Sequence, residues 1–234
     1  NRVVTDRISD YLFAPSADAV DNLTREGYRP DQIQLVGNVM IDTLRANVAH
    51  AEARPVLSVM GLSPGDYGLV TLHRPANVDD VEVLRGLLGV LDELAGELPL
   101  VFPLHPRARA GVEAIGVRGD IRLIDPLGYL DFLALEARAR LVLTDSGGVQ
   151  EETTALGVPC LTLRDNTERP ITVEHGTNVL VVRDPLRTLG EARAILSDGI
   201  TPRCPPLWDG HAAERIADVL AAPAPTTRRR PTDL

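Results

Sequence analysis

The apolar residues of this chain fall into short runs rich in Val, Ile and Leu, each followed by a stretch with an amphipathic helical pattern. That alternation constrains the fold more than any other feature. A β-branched run followed by a helical stretch, repeated along the chain, builds βαβ units and hence a mainly parallel sheet with helices on both faces. Strands are expected over 11–15, 32–36, 67–72, 100–104, 121–124, 140–144, 159–163 and 178–182. Helices are expected from a cap at Ser16 to about Gly27, over 41–53, and from Asp79 or Asp80 to about Leu98. Further helices are expected over 129–138, over 149–156 with Gly157 closing it, and from a cap at Asp209 to about Ala222. The expected fold class is therefore α/β, a doubly wound, Rossmann-like parallel sheet.

The same pattern divides the chain. Residues 1–45 hold too few strands to close a sheet and are expected to be a remnant of a Rossmann-like domain plus its connection. Residues 55–205 read as one complete Rossmann-like domain, 209–222 as a terminal helix, and the Pro-, Thr- and Ala-rich 223–234 as a flexible tail. The chain opens on Asn1, with methionine only at Met40 and Met60, so a processed protein or a piece of a longer one is expected.

Composition excludes several functions. All 24 basic residues are Arg, which removes a Walker-type phosphate loop and any Schiff-base lysine. A net charge of −9, with the only basic cluster at Arg228, Arg229 and Arg230, argues against a nucleic-acid partner. No apolar run reaches the roughly 18–20 residues that a membrane helix needs, and no leader pattern is present, so no membrane partner and a cytoplasmic location are expected. Cys160 and Cys204 make neither a disulfide framework nor a zinc cluster, and no metal site is expected.

In a doubly wound sheet a ligand lies beyond the carboxyl ends of the strands, so the residues just after each strand are the informative ones. After the strand ending at Thr144 comes Asp145-Ser146-Gly147-Gly148, with Glu151 and Glu152 expected in the first helical turn. Bare backbone at a helix N-terminus favours an anion, and a carboxylate one turn on can reach ribose hydroxyls. A tight turn whose acids compensate the helix dipole is the competing reading. After Leu72 comes His73-Arg74-Pro75, and after Leu104 comes His105-Pro106-Arg107. Two strands that each deliver His near Arg suit a group developing negative charge, against the alternative of plain surface turns. Arg164 to Pro170 is either a site-lining loop or an exposed salt-bridged one, and Phe132 and Cys160 read as core.

These stretches together resemble the non-hydrolysing UDP-N-acetylglucosamine 2-epimerases. The residues that carry the resemblance are Asn1-Arg2, Asp6-Arg7, Leu12 to Ser16, Val36-Gly-Asn38 with Ile41-Asp42, Leu72-His-Arg-Pro75 with Asn77, and His105-Pro106. Thr144-Asp-Ser-Gly-Gly-Val-Gln-Glu-Glu152, Arg164-Asp165, Thr167-Glu-Arg-Pro170 and Gly176-Thr-Asn178 complete it, and the first and third of these are the most specific. The resemblance implies a type B glycosyltransferase-like architecture, with 55–205 as its carboxyl-terminal nucleotide-binding domain and the preceding amino-terminal domain largely absent.

By the same resemblance, Ser146, Gly147 and Gly148 hold a diphosphate, Glu152 the ribose, Arg169 belongs to the nucleotide site, and Phe132 lies near the uracil. His73 matches the catalytic His beside the leaving UDP. Arg74 and His105 match positions that in one bacterial branch contact a second, regulatory UDP-sugar. Ala76 stands where the family usually has Glu, and Leu127 where some members have Gln. The implied activity is interconversion of UDP-GlcNAc and UDP-ManNAc by elimination and re-addition of UDP, with no cofactor and in a full-length homodimer. The family's proton-moving carboxylates lie in the absent portion. A UDP-sugar-dependent glycosyltransferase of the same architecture and a non-catalytic UDP-binding fragment are the alternatives.

Overall fold

The computed structural model describes residues 1–181 and 184–222. The chain forms two compact units, Asn1–Asp42 with the residues from Pro206 onward, and Thr43–Pro205. The first contains α1 (Arg2–Arg7), β1 (Leu12–Ala14), α2 (Ala17–Arg25), β2 (Ile33–Leu35) and the start of α3 (Val39–Glu52). Strands β1 and β2 pair in parallel, with Leu12 opposite Ile33, over a small core of Leu12, Ala14, Leu23, Tyr28 and Ile33. The terminal helix (Ala212–Ala221) belongs to this unit: the N–H groups of Ala212 and Ala213 donate to the Asp42 carboxylate, and the Trp208 indole donates to the Pro15 carbonyl at 3.0 Å.

The second unit runs α4 (Val56–Val59), β3 (Gly68–Thr71), α5 (Pro75–Val78), α6 (Val81–Leu94), β4 (Leu100–Pro103), α7 (Pro106–Ile115) and β5 (Ile121–Ile124). It continues with α8 (Tyr129–Arg138), β6 (Leu141–Thr144), α9 (Gly147–Leu156), β7 (Cys160–Thr162), α10 (Pro170–Glu174), β8 (Asn178–Leu180) and α11 (Pro185–Asp198). The six strands lie in the order β5-β4-β3-β6-β7-β8, and every pair is parallel. The chain winds outward from β3 in one direction and then returns beside it at β6. The reversal creates a crevice at the carboxyl ends of β3 and β6, the place where such sheets take ligands.

Both faces of this sheet are covered, which explains the nearly continuous apolar runs. Successive residues point to opposite faces. Val70, Phe102, Leu141 and Leu143 pack with α6, α7 and α11, while Leu69, Val101 and Val142 pack with α4, α8 and α9. Cys160 is fully buried within this sheet, as a small core residue should be.

Several helix boundaries differ from expectation. At Ser16 the hydroxyl donates to Asp18 Oδ1 at 2.6 Å rather than capping the backbone of α2. Of the two caps expected for α6, Asp80 is the one formed, accepting from the N–H groups of Glu82 and Val83. Asp209 does not cap the terminal helix; it accepts from the His211 N–H and pairs with Arg215, while Asp42 takes the first-turn donors. Helix α9 starts two residues before the expected 149, so Glu151 and Glu152 lie in its second turn and not its first. Gly157 closes it in the left-handed conformation, as expected. Helices α7 and α10 escape the apolar pattern because each buries few residues, Ala108 and Val112 in α7, Ile171 and Thr172 in α10, whereas α11, which buries Thr188, Leu189, Ala192 and Ile195, lies where no helix is expected. The expected strand end at 182 and the expected tail at 223–234 lie outside the described residues.

Gly176 shows why one short motif is spelled as it is. A Cβ there would lie 2.3 Å from the Thr172 carbonyl oxygen and 2.6 Å from Thr154 Oγ1, both in the packing around β8. Gly176→Ala should therefore cost about 1–3 kcal/mol through overpacking, read as a lower urea midpoint with an unchanged slope.

Candidate active site

The site is organised by one carboxylate. Asp145 comes directly after β6 at the crevice and is completely buried. It accepts from the His73 N–H at 3.0 Å, the Arg74 N–H at 2.9 Å and Asn77 Nδ2 at 3.1 Å, and its Oδ1 lies 2.8 Å from His73 Nδ1. Burial alone would raise this carboxyl. The hydrogen bond from the His73 side chain, the Arg74 N–H and the His73 charge outweigh it and hold Asp145 below the usual range. Sequence reasoning places Asp145 within a motif but gives it no role. Its signal was the pairing of His73 after one central strand with Asp145 after the adjacent one.

Asp145 fixes the histidine. With Nδ1–H directed at the carboxylate, the remaining nitrogen of His73, Nε2, is the one left for a ligand, and the side chain is 38% exposed. The His105 ring lies 5.6 Å from the His73 ring, tilted by 47°. His105 Nδ1 accepts from the Arg107 N–H at 3.2 Å, and Arg107 pairs with Asp79. Arg74 and His105, both expected in a regulatory contact, sit beside His73. Arg74, His105 and Arg169 each stand just before a proline that opens a helix. Proline at the first helical position fixes where the helix begins, and so places the preceding basic residue at the crevice.

Ser146 is the N-cap residue of α9 but makes no side-chain cap, so the first-turn N–H groups of Gly147 and Gly148 face outward without one. A Cβ at Gly147 would meet nothing within 4 Å, so the protein's own packing does not require glycine there. Such a turn admits close approach of a ligand to bare backbone.

A buried amide ties this turn to the Thr167–Arg169 loop. Gln150 Nε2 donates to the Ser146 carbonyl at 3.1 Å, and its Oε1 accepts from Thr167 Oγ1 at 2.6 Å and Asn178 Nδ2 at 3.2 Å. Asn178 in turn accepts from Thr162 Oγ1 and reaches Thr172 Oγ1. Thr167 Oγ1 accepts from the Arg169 N–H, and the Arg169 guanidinium pairs with buried Glu151 at 2.8 Å. Arg164 holds Glu168 through both carboxylate oxygens, at 2.7 Å each, and lowers that carboxyl to about 2. The loop is thus internally paired and also lines the crevice, which joins the two readings left open by the sequence.

Farther along α9, Glu152 accepts from the Tyr129 hydroxyl at 3.0 Å. Phe132, one turn beyond Tyr129 on α8, is half-buried against the core. Glu152 and Tyr129 therefore form a second group, joined to the Ser146 turn through α9, with Phe132 one turn further along α8. Among the described residues no cluster of three or more His, Cys, Asp or Glu could hold a metal ion, and no helix is long and apolar enough to cross a membrane.

The family model described as UDP-N-acetylglucosamine 2-epimerase matches residues 1–221. The chain belongs to this family. The epimerase of Methanocaldococcus jannaschii is 42% identical, over 94% of this chain and 63% of the relative. The UDP-2,3-diacetamido-2,3-dideoxy-D-glucuronate 2-epimerase of Pseudomonas aeruginosa is 41% identical, over 94% of this chain and 62% of the relative. The crystal structure of the M. jannaschii epimerase in complex with UDP-GlcNAc and UDP superposes with a TM-score of 0.82 at 41% identity, covering 94% of this chain and 63% of that one. The α/β, type B glycosyltransferase-like fold is shared with such neighbours. The chain spans less than two thirds of the length of these epimerase relatives.

The electrostatics of Asp145 set a pH dependence. A carboxyl depressed in the folded state contributes stability that is present above the ordinary Asp value, about 3.9, and lost as pH falls through the folded value. Asp145→Asn should lower stability by roughly 3 kcal/mol at pH 7. The gap from the parent protein should narrow as pH falls below about 4. Urea unfolding between pH 3 and 7 measures this, and a gap that stays constant across the range would contradict it.

Proposed function

We propose that the chain is the nucleotide-holding part of an epimerase that inverts C2 of a UDP-2-acetamido sugar, interconverting UDP-GlcNAc and UDP-ManNAc. The observation that carries the proposal is the layout of α9. Its uncapped glycine turn and Glu152 lie four residues apart, about 6 Å along a helix, which suits the diphosphate and ribose of one UDP. Ser146, Gly147 and Gly148 then take the diphosphate, Glu152 the ribose hydroxyls, and Phe132 the neighbourhood of the base. Arg169, steadied by Glu151, adds positive charge to the same ligand.

In this reading the reaction starts with cleavage of the C1–O bond. Charge gathers on the departing diphosphate oxygen, where the N–H groups of the α9 N-terminus and the Nε2–H of His73, in its protonated form, stabilise it. Asp145 takes the Nδ1–H and so fixes the ring in the orientation that turns Nε2 toward that oxygen. Loss of the C2 proton gives 2-acetamidoglucal, and re-addition of UDP with the opposite C2 configuration completes the inversion. The relatives favour two sugars: UDP-GlcNAc by the M. jannaschii likeness and a diacetamidoglucuronate by the P. aeruginosa one. Competition of the two nucleotide sugars for the UDP site separates them. A glycosyltransferase would need an acceptor, whereas an epimerase of the relatives' full length makes UDP-ManNAc from UDP-GlcNAc alone. The proposal extends to a homodimer at that length and to the cytoplasm, which suits the free thiols Cys160 and Cys204.

Two measurements test the reading. Calorimetry should show UDP binding, weakened about tenfold to a hundredfold by Glu152→Ala, the loss of a charged acceptor worth about 1.5–3 kcal/mol. Unchanged affinity in a folded variant removes Glu152 from the site. The second concerns turnover. Asp145 is engaged behind His73, and Glu168, lowered to about 2 by Arg164, is a poor base for a weakly acidic C2 proton. The 234-residue chain should therefore bind UDP without interconverting UDP-GlcNAc and UDP-ManNAc. Epimerisation seen by NMR with this chain alone would overturn that expectation.

A further inference from the structure

Helix α8 places Tyr129, Phe132 and Glu136 at spacings of three and four residues, on one face of the helix. The Tyr129 hydroxyl donates to Glu152. Glu136 has no part in the nucleotide contacts, yet it is completely buried, and neither of its carboxyl oxygens meets a donor group of the protein. An ionised carboxylate in that position would be uncompensated. The carboxyl group that acts on it is that of Glu152, from α9, and the Tyr129 hydroxyl and the Cys160 thiol lie within range of its charge. Two carboxyl groups in contact, without a cation between them, resolve the conflict by sharing one proton.

We infer that Glu136 is a positioning residue for the nucleotide site: its buried carboxyl group donates its proton to Glu152 and so holds that carboxylate as the acceptor of the ribose hydroxyls. Glu152 is then gripped on two sides, by the Tyr129 hydroxyl at 3.0 Å and by the acid proton of Glu136. The inference rests on the UDP reading, because only a ribose gives the Glu152 carboxylate its task.

The remaining groups leave the titration of this site to the pair. Burial first, and then the Glu152 carboxylate, push the Glu136 carboxyl well above its usual range, and burial also raises Glu152. On α8 itself, burial and the two carboxyls raise the Tyr129 phenol, so it stays neutral. From β7, the Cys160 thiol is pushed up to about 12 by burial and is neutral too. Helix α4 presents apolar Val56 and Leu57 to this layer. The other charged side chains nearby are engaged elsewhere: Glu151 with Arg169, Asp131 with Arg54, and Arg138 with Glu52.

The direction of the shift sets the sign. The binding-competent form carries one proton on the pair, so affinity holds below the pair's upper apparent pKa and falls above it, by up to about tenfold per pH unit. The test is UDP affinity by calorimetry from pH 6 to 9, for the parent chain, Glu136→Gln and Glu136→Leu. An amide still donates a hydrogen bond to Glu152 and cannot ionise. The Gln variant should therefore match the parent at pH 6 and lose its alkaline fall, while the Leu variant should bind about tenfold more weakly throughout. Ionisation of UDP itself is common to all three and cancels. Parent and Gln profiles that superimpose would overturn the inference and leave the UDP reading standing. A parent chain that binds no UDP would instead remove that reading. In the unliganded parent, NMR of carboxyl-labelled glutamate should show one carboxyl still protonated at pH 7 and shifted by Glu152→Gln. Full ionisation of every glutamate at that pH would overturn the proton-sharing pair itself, whatever the variants do.

Discussion

A carboxylate sealed inside a protein is costly unless donors surround it, and Asp145 meets that demand at the point where the sheet reverses its winding. Two backbone N–H groups, an amide and an imidazole converge on it from the segment after β3. Asn77, while donating to Asp145, also donates to the Leu163 carbonyl at the end of β7, so three strand ends are bound through one charge. The geometry of His73 and the start of α5 are consequences of satisfying that charge.

Helix α9 serves as the common axis. Its first turn offers unpaired N–H groups, its second turn carries Glu151 and Glu152, and Gln150 between them faces the interior. A change in where α9 begins would move all of these together. The buried Thr144 hydroxyl contributes to this placement: it accepts from the Ser146 N–H at 3.0 Å and meets the Thr71 hydroxyl of the neighbouring strand at 2.6 Å. The acid pair of Glu136 and Glu152 depends on the same helix, since α8 alone leaves Glu136 without a partner.

Much of this was legible in the sequence. Strands buried on both faces announce themselves as unbroken apolar runs, and the extent of α8 at 129–138 agrees with its pattern. The elements that escaped did so for physical causes. Helices α7 and α10 bury so few residues that no apolar stripe marks them, although the proline at the first position of each was a usable sign. Asp209 and Ser16 have the chemistry of caps, but Asp42 accepts the donors expected of Asp209, and the Ser16 hydroxyl is itself engaged as a donor to Asp18. For the site, position along the chain revealed the residues at each strand's carboxyl end, which brought out His73, His105 and the glycine turn. Contacts between strands distant in sequence, such as Asp145 with Asn77 or Gln150 with Thr167, emerge only once the strand order is known.

Gln150 Oε1 is a single acceptor shared by two segments that are separate in the chain, the Thr167 loop and the start of β8 at Asn178. For anyone recombining members of this family, the segments therefore do not behave as interchangeable cassettes. A foreign loop without a hydroxyl at position 167 leaves a buried carbonyl half-satisfied, and a foreign α9 without Gln150 strands donors on both segments at once. Crossovers that divide 150 from 178 thus select against themselves through folding, before any demand of catalysis is felt.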